Sequence, residues 1–168
     1  DDLEDVENLL RYAPDTAGGI MTTDIFSLPL DTPVEEAIMA IRQREEEDTV
    51  FYLYVTGLAG RLEGVISLRQ LLLAPQKTKL QDLMNPRPIK VTTDTSQESV
   101  ARLVDKHNLL ALPVTDQDGA LVGAVTVDNV LDVIHSETTK EMLRMAGTSE
   151  SEILTQSPFR IARIRLPW

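Results

Sequence analysis

The chain has 168 residues, 42% hydrophobic and 4% aromatic, with a formal net charge of −11. That charge argues against a nucleic-acid partner, because phosphate binding needs a basic surface, and it makes cations the more natural ligands; the same acids would also serve solubility. Cysteine is absent, which excludes a disulfide framework, a thiolate nucleophile and a Cys-based zinc site and fits a reducing compartment.

In chain order, residues 2–12 read as a helix interrupted at Pro14, and Ala17-Gly18-Gly19 as a flexible hinge leading to the first of two modules. The modules are two copies of one pattern. Ile20-Met21-Thr22 matches Leu83-Met84-Asn85, Asp31-Thr32 with Glu35 matches Asp94-Thr95 with Glu98, and Gly60 to Ser67 matches Gly119 to Thr126. The offset shortens between the helical and strand patterns, where the acidic cluster Glu45-Glu46-Glu47-Asp48 reads as an insertion in a solvated loop or helix end.

Each copy predicts the order β-α-β-β-α. Strands are expected at 26–28 and 89–91, amphipathic helices at 33–44 and 97–107, and hairpins pairing 51–55 with 62–67 and 110–115 with 121–126. Helical patterning closes each copy, at 68–73 and over a longer stretch from 127 to 145. No apolar run approaches the roughly 20 residues that cross a bilayer, so the stretch as given is expected to be soluble. Residues 159–168 alternate arginine with apolar residues and end on Trp168; this suits a cytoplasmic membrane edge or a plain basic tail.

Both copies resemble CBS (cystathionine β-synthase) domains, on the signature Gly64-Val65-Ile66-Ser67-Leu68-Arg69-Gln70 and Gly123-Ala124-Val125-Thr126-Val127-Asp128-Asn129. With Tyr12-Ala13-Pro14-Asp15-Thr16-Ala17-Gly18, Leu112-Pro113-Val114 and Thr126 to Val133, nearly the whole chain is similar to the cytosolic portion of MgtE-type magnesium transporters. The resemblance implies an α/β fold of tandem CBS domains with a long C-terminal connecting helix. Residues 1–18 would end a preceding N-terminal helical domain, 19–79 and 80–135 would be the two CBS domains, 128–147 the connecting helix, and 148–168 a linker towards a membrane domain. It also implies a homodimer on the cytoplasmic face of the inner membrane, working with its own N-terminal and transmembrane domains, sensing Mg2+ and closing the pore when internal Mg2+ is high.

The expected cation site lies on the last helix. Asp128 and Asp132 are four apart, as are Glu137 and Glu141, so each pair can share a face whose repulsion a divalent cation would relieve. Magnesium takes hard oxygen ligands and keeps much of its water, so few carboxylates suffice. An acidic, solvated helix face satisfies the same description. By resemblance Glu98, Asp132, Glu137 and Glu141 fall on ligand positions, whereas Ser96, Asn108, Asn129 and Lys140 stand where relatives can be acidic.

The second expectation is adenosine nucleotide, ATP or a relative. Tyr52, Arg69 and Ile89 match positions lining an ATP site in MgtE-type relatives, and Ser67 and Thr126 are the signature hydroxyls, but Gln70 and Asn129 replace the ribose-binding Asp. Without the magnesium role, the pair would be a nucleotide-sensing CBS module regulating another protein. An enzyme is not expected, since His107 and His135 have neither a nucleophile nor a metal-ligand spacing beside them.

Overall fold

A computed structural model describes residues 12–44 and 50–135. The expected 2–12 helix, the acidic insertion and everything beyond residue 135, including Glu137, Lys140 and Glu141, lie outside the described residues. The chain divides after Val130, and the two sheets both belong to the part before it.

The elements are α1 (Ala17–Ile20), β1 (Ser27–Pro29), α2 (Val34–Arg42), β2 (Tyr52–Thr56), β3 (Leu62–Ser67), α3 (Leu68–Leu73), α4 (Leu80–Leu83), β4 (Val91–Thr92), α5 (Gln97–His107), β5 (Ala111–Thr115) and β6 (Leu121–Thr126). A further helix, α6, covers 127–135. The two three-stranded sheets run β1-β2-β3 and β4-β5-β6. In each the first strand is parallel to the second and the second forms a hairpin with the third. The register breaks at Val55/Thr56 in one hairpin and at Val114/Thr115 in the other, so even the bulge repeats. Each sheet buries one side against its helices. The first core holds Val34, Ala37, Leu53, Val55, Ile66 and Leu71, and the second Val91, Val100, Val104, Leu112, Val114 and Val125.

Neither repeat completes its own core, because each gives its leading segment to the other. Ala17 and Met21, at the head of the first repeat, are buried in the second repeat's core; Leu80, with Leu83 and Met84 beside it, completes the first. The same hydrogen bonds hold both. Ala17 N–H donates to Thr95 O (2.7 Å) and Gly18 N–H to Thr93 O (2.9 Å), as Leu80 N–H donates to Thr32 O (2.9 Å) and Gln81 N–H to Leu30 O (3.0 Å). Thr22 then pairs with Ala124 on β6, and Asn85 with Val65 on β3.

This exchange explains two sequence features. The Met-Thr and Met-Asn motifs lay a thioether over the glycine of the opposite signature: a Cβ on Gly64 would sit 2.5 Å from Met84 Sδ, and one on Gly123 would sit 2.6 Å from Thr22 O and 2.7 Å from Met21 Sδ. It also corrects the expected hinge. Ala17 and Gly18 are buried in a helical turn, and a Cβ on Gly18 would strike the Tyr12 ring at 2.5 Å. These glycines permit close packing rather than motion.

Gly123→Ala meets a backbone carbonyl that no rotamer change can move aside, so overpacking of this kind should cost about 1–3 kcal/mol. Urea denaturation should show that loss as a lower midpoint with the m-value preserved.

Candidate functional site

The signature ends are two helix caps. Ser67 Oγ accepts from Gln70 N–H (3.2 Å), while Gln70 Oε1 accepts from Ser67 N–H (3.0 Å) and Ser67 Oγ–H (2.8 Å). The second repeat does the same with one fewer methylene: Thr126 Oγ1 faces Asn129 N–H (3.5 Å), and Asn129 Oδ1 accepts from Thr126 N–H (3.0 Å) and Thr126 Oγ1–H (2.7 Å). A carboxylate here would have a second oxygen left over as an acceptor. An amide whose oxygen is spent on the cap leaves an NH2 group, which only donates. The departure from Asp therefore keeps the helix start and reverses the hydrogen-bonding sense offered to a ligand.

The same logic covers the other neutral departures. Ser96 caps α5, accepting from Ser99 N–H, and Asn108 ends that helix in the left-handed conformation (φ 49°, ψ 47°) that Asn tolerates well. All three positions thus have a structural use for a short polar side chain.

Between the repeats lies a cleft of about 400 Å3, part of it open to solvent. Its walls include Thr22, Asp24, Phe26 and Arg44 from the first repeat, Tyr52 and Tyr54 from β2, and Ala111 and Thr126 from the second repeat. Arg44 is ion-paired with Asp24 and lies over the Phe26 ring, with Cζ 5.6 Å from the centroid. Tyr54 is 3% exposed, and its hydroxyl has no hydrogen-bond partner among the described residues. Burial, with Tyr52 adding to it, pushes that phenol well above its usual range, so it is a neutral donor at every physiological pH.

Of the expected nucleotide residues, Tyr52 and Thr126 line this cleft; Arg69 and Ile89 do not. Arg69 is exposed in the first turn of the helix that Ser67 caps, and Ile89 packs against the second core. Tyr52 is shared, for it pairs with Ser67 across the hairpin and its Oη accepts from Leu110 N–H (3.5 Å). Asp24, Arg44 and Tyr54 were not singled out from the sequence. Their only sequence signal is adjacency: Asp24 comes two residues after the exchanged Thr22, and Tyr54 is two residues along the strand from Tyr52.

Of the expected cation ligands, Glu98 lies in the first turn of α5. Hydrogen bonds from the backbone at Glu98 and from the Ser96 side chain hold its carboxyl below the usual range, outweighing the opposing effect of desolvation. Asp128 is exposed in the first turn of α6, and Asp132 is exposed as well. Among the described residues no group of three or more His, Asp or Glu side chains could hold a metal ion. The exposed carboxylates are hard, hydrated oxygens suited to outer contacts of a magnesium ion, but they do not form a preassembled cage.

The CBS-domain family model matches residues 17–77 and 80–136. The chain belongs to the CBS-domain family and contains two copies of the domain. More particularly, it is similar to the magnesium transporter MgtE of Thermus thermophilus, with 38% identity over 167 residues that span 98% of this chain and 37% of that protein. A crystal structure of the cytosolic domain of the Mg2+ channel MgtE in complex with ATP has 45% identity and a TM-score of 0.75, covering 77% of this chain and 53% of the other. The CBS-domain protein CBSX2 in complex with AMP has 29% identity and a TM-score of 0.62, covering 73% and 98%. The CBS pair therefore matches MgtE cytosolic domains along most of its length, and the chain spans little more than a third of the length of that curated relative.

Two measurements check this reading of the site. Tyr54→Phe removes a buried hydroxyl that has no hydrogen-bond partner among the described residues, so stability should stay level or rise, by up to about 1–2 kcal/mol, in thermal denaturation. Glu98 should titrate below the ordinary glutamate range by NMR. Because its folded pKa is depressed, its contribution is present above the unfolded-state pKa and fades as pH falls through the folded value.

Proposed function

We propose that this CBS pair is the non-enzymatic regulatory part of a magnesium transporter, sensing intracellular Mg2+ and gating a pore through the helix that starts at 127. The observation that carries this reading is the 38% identity to MgtE along 98% of the chain, which takes in both repeats and the stretch after them. Two copies would associate through their CBS domains at the cytoplasmic face of the membrane, working with N-terminal and transmembrane parts of a longer protein. Each copy would bring Glu98, Asp128, Asp132, Glu137 and Glu141 to the assembly. Like charges from two copies repel at short range, so a divalent cation that neutralises them favours the compact, closed arrangement by its differential affinity for it.

Small-angle scattering across a Mg2+ titration, with Ca2+ and ionic-strength-matched Na+ as controls, tests the proposal. Saturable compaction beyond the Na+ effect is expected, and Asp132→Ala with Glu137→Ala should shift it to at least several-fold higher Mg2+. Compaction unchanged in that double variant would remove the two residues from the sensor.

A second role is supported by the doubled, hydroxyl-bearing caps and by the ATP and AMP complexes of related CBS pairs. We propose an adenosine-nucleotide site at the Ser67 cap, where Arg69 supplies a phosphate partner, Tyr52 and Ile89 apolar surface, and the Gln70 amide a donor in place of a ribose acceptor. Asp at position 70 would restore that acceptor, so Gln70→Asp should tighten ATP binding about ten-fold for one charged hydrogen bond gained, as read by competition against a fluorescent analogue.

A further inference from the structure

The chain has five methionines and no cysteine, so its sulfur chemistry belongs to thioethers, and two of these lie where the repeats exchange their leading segments. The two places differ in access. Met21, over Gly123, is 5% exposed and belongs to the second repeat's core. Met84, over Gly64, is half-buried and packs against the first core without being sealed inside it. Met39, on α2, is 56% exposed and stands outside both cores.

The surroundings of Met84 suit a thioether and not its oxide. A Cβ on Gly64 would stand 2.5 Å from Met84 Sδ and 2.8 Å from Asn85 O, so sulfur and carbonyl together fill the space over the glycine. An oxygen added on that side of the sulfur would enter occupied space and face another acceptor. Added on the outer side, it would make a strongly polar group that draws the sulfur towards water. Either way the contact with Gly64 is lost. The segment that this contact anchors is also tied by Leu80 N–H to Thr32 O, Gln81 N–H to Leu30 O and Asn85 N–H to Val65 O.

We propose that Met84 is a reversible oxidation site, and that its sulfoxide loosens the second leading segment from the first repeat while the sealed Met21 keeps the first segment in place. The oxidant is a hydroperoxide. A sulfur lone pair attacks one peroxide oxygen, the S–O bond forms as the O–O bond breaks, and the departing hydroxide takes the proton of the transferred OH. With hydrogen peroxide the by-product is water; sulfur loses two electrons and the peroxide gains them. Methionine sulfoxide reductases, one for each sulfoxide epimer, reverse the step.

To test this, the full chain is treated with hydrogen peroxide, and oxidation of each methionine is followed by peptide mass spectrometry beside thermal melting and hydrogen–deuterium exchange. Met39 should oxidise first, then Met84, with Met21 slower than Met84 by roughly ten-fold or more because it is buried. As Met84 oxidises, the melting midpoint should fall by about 4–8 °C. Exchange should quicken at the amides of Leu80, Gln81 and Asn85 and stay unchanged at those of Ala17 and Gly18. Reductases of both epimer specificities should restore midpoint and exchange together. Met84→Leu, a swap of similar volume, should hold its midpoint through the same treatment, whereas Met39→Leu should still show the fall. Met84 as resistant as Met21 overturns the site. A Met84 sulfoxide with unchanged exchange at the three amides overturns the release, and so does an equal fall in Met84→Leu. The exchange and reductase arms use wild type, so they decide the matter even if Met84→Leu fails to fold.

Discussion

The packing of a methionine and its neighbouring residue over a glycine, made twice and in opposite directions, is the contact on which the rest of the molecule depends. Met21 and Thr22 reach the second repeat's Gly123 and Ala124, and Met84 and Asn85 reach the first repeat's Gly64 and Val65. Neither core is complete until the other repeat's leading segment has entered it. The cost of ordering two short segments is met by burial of their apolar side chains and by paired backbone hydrogen bonds, terms that appear only when both repeats are present. This connection couples the folding of the two repeats and fixes the place of the cleft between them.

Because the cleft between the repeats is formed at the exchange, the residues after the first exchanged segment become one of its walls. Asp24 and its counterpart in the repeat, Arg87, are both exposed, so these positions can change without touching either core. The hydroxyl at each cap is less free to change. It satisfies a helix N-terminus and holds the amide beside it, so the group that meets a ligand is set by a structural hydrogen bond. Substituting Gln or Asn for Asp at these positions leaves the cap and alters the chemistry offered outward.

The neutral residues at Ser96, Asn108 and Asn129 bear on cation sensing in the same way. Each closes a helix end, and each lowers the negative charge that a magnesium ion would meet. The proposed sensor thus relies on fewer carboxylates, with Glu98 kept ionised to lower pH by its own helix start.

Repetition, spacing and periodicity were enough to read two β-α-β-β-α units and nearly every strand and helix, because hairpin glycines, alternating apolar residues and cap residues are local signals. The signature hydroxyls, which lie at two helix starts, and Tyr52, which lines the cleft, were legible for the same reason. What stayed hidden was set by how the chain packs. Gly18 and Gly19 read as a hinge, yet they are tightly packed, since the ring and carbonyl that crowd them are specified by the fold and not by the glycines. Nor could spacing reveal that Asp24 meets Arg44 twenty positions on, that Tyr54 buries a hydroxyl with no hydrogen-bond partner among the described residues, or that Thr126 lines the cleft while Arg69 does not. The two units, their caps and their charge are written in neighbouring residues and are legible without coordinates. Which unit each leading segment completes, and so which side chains face one another across the clefts, depends on contacts between distant parts of the chain and emerges only when both repeats pack.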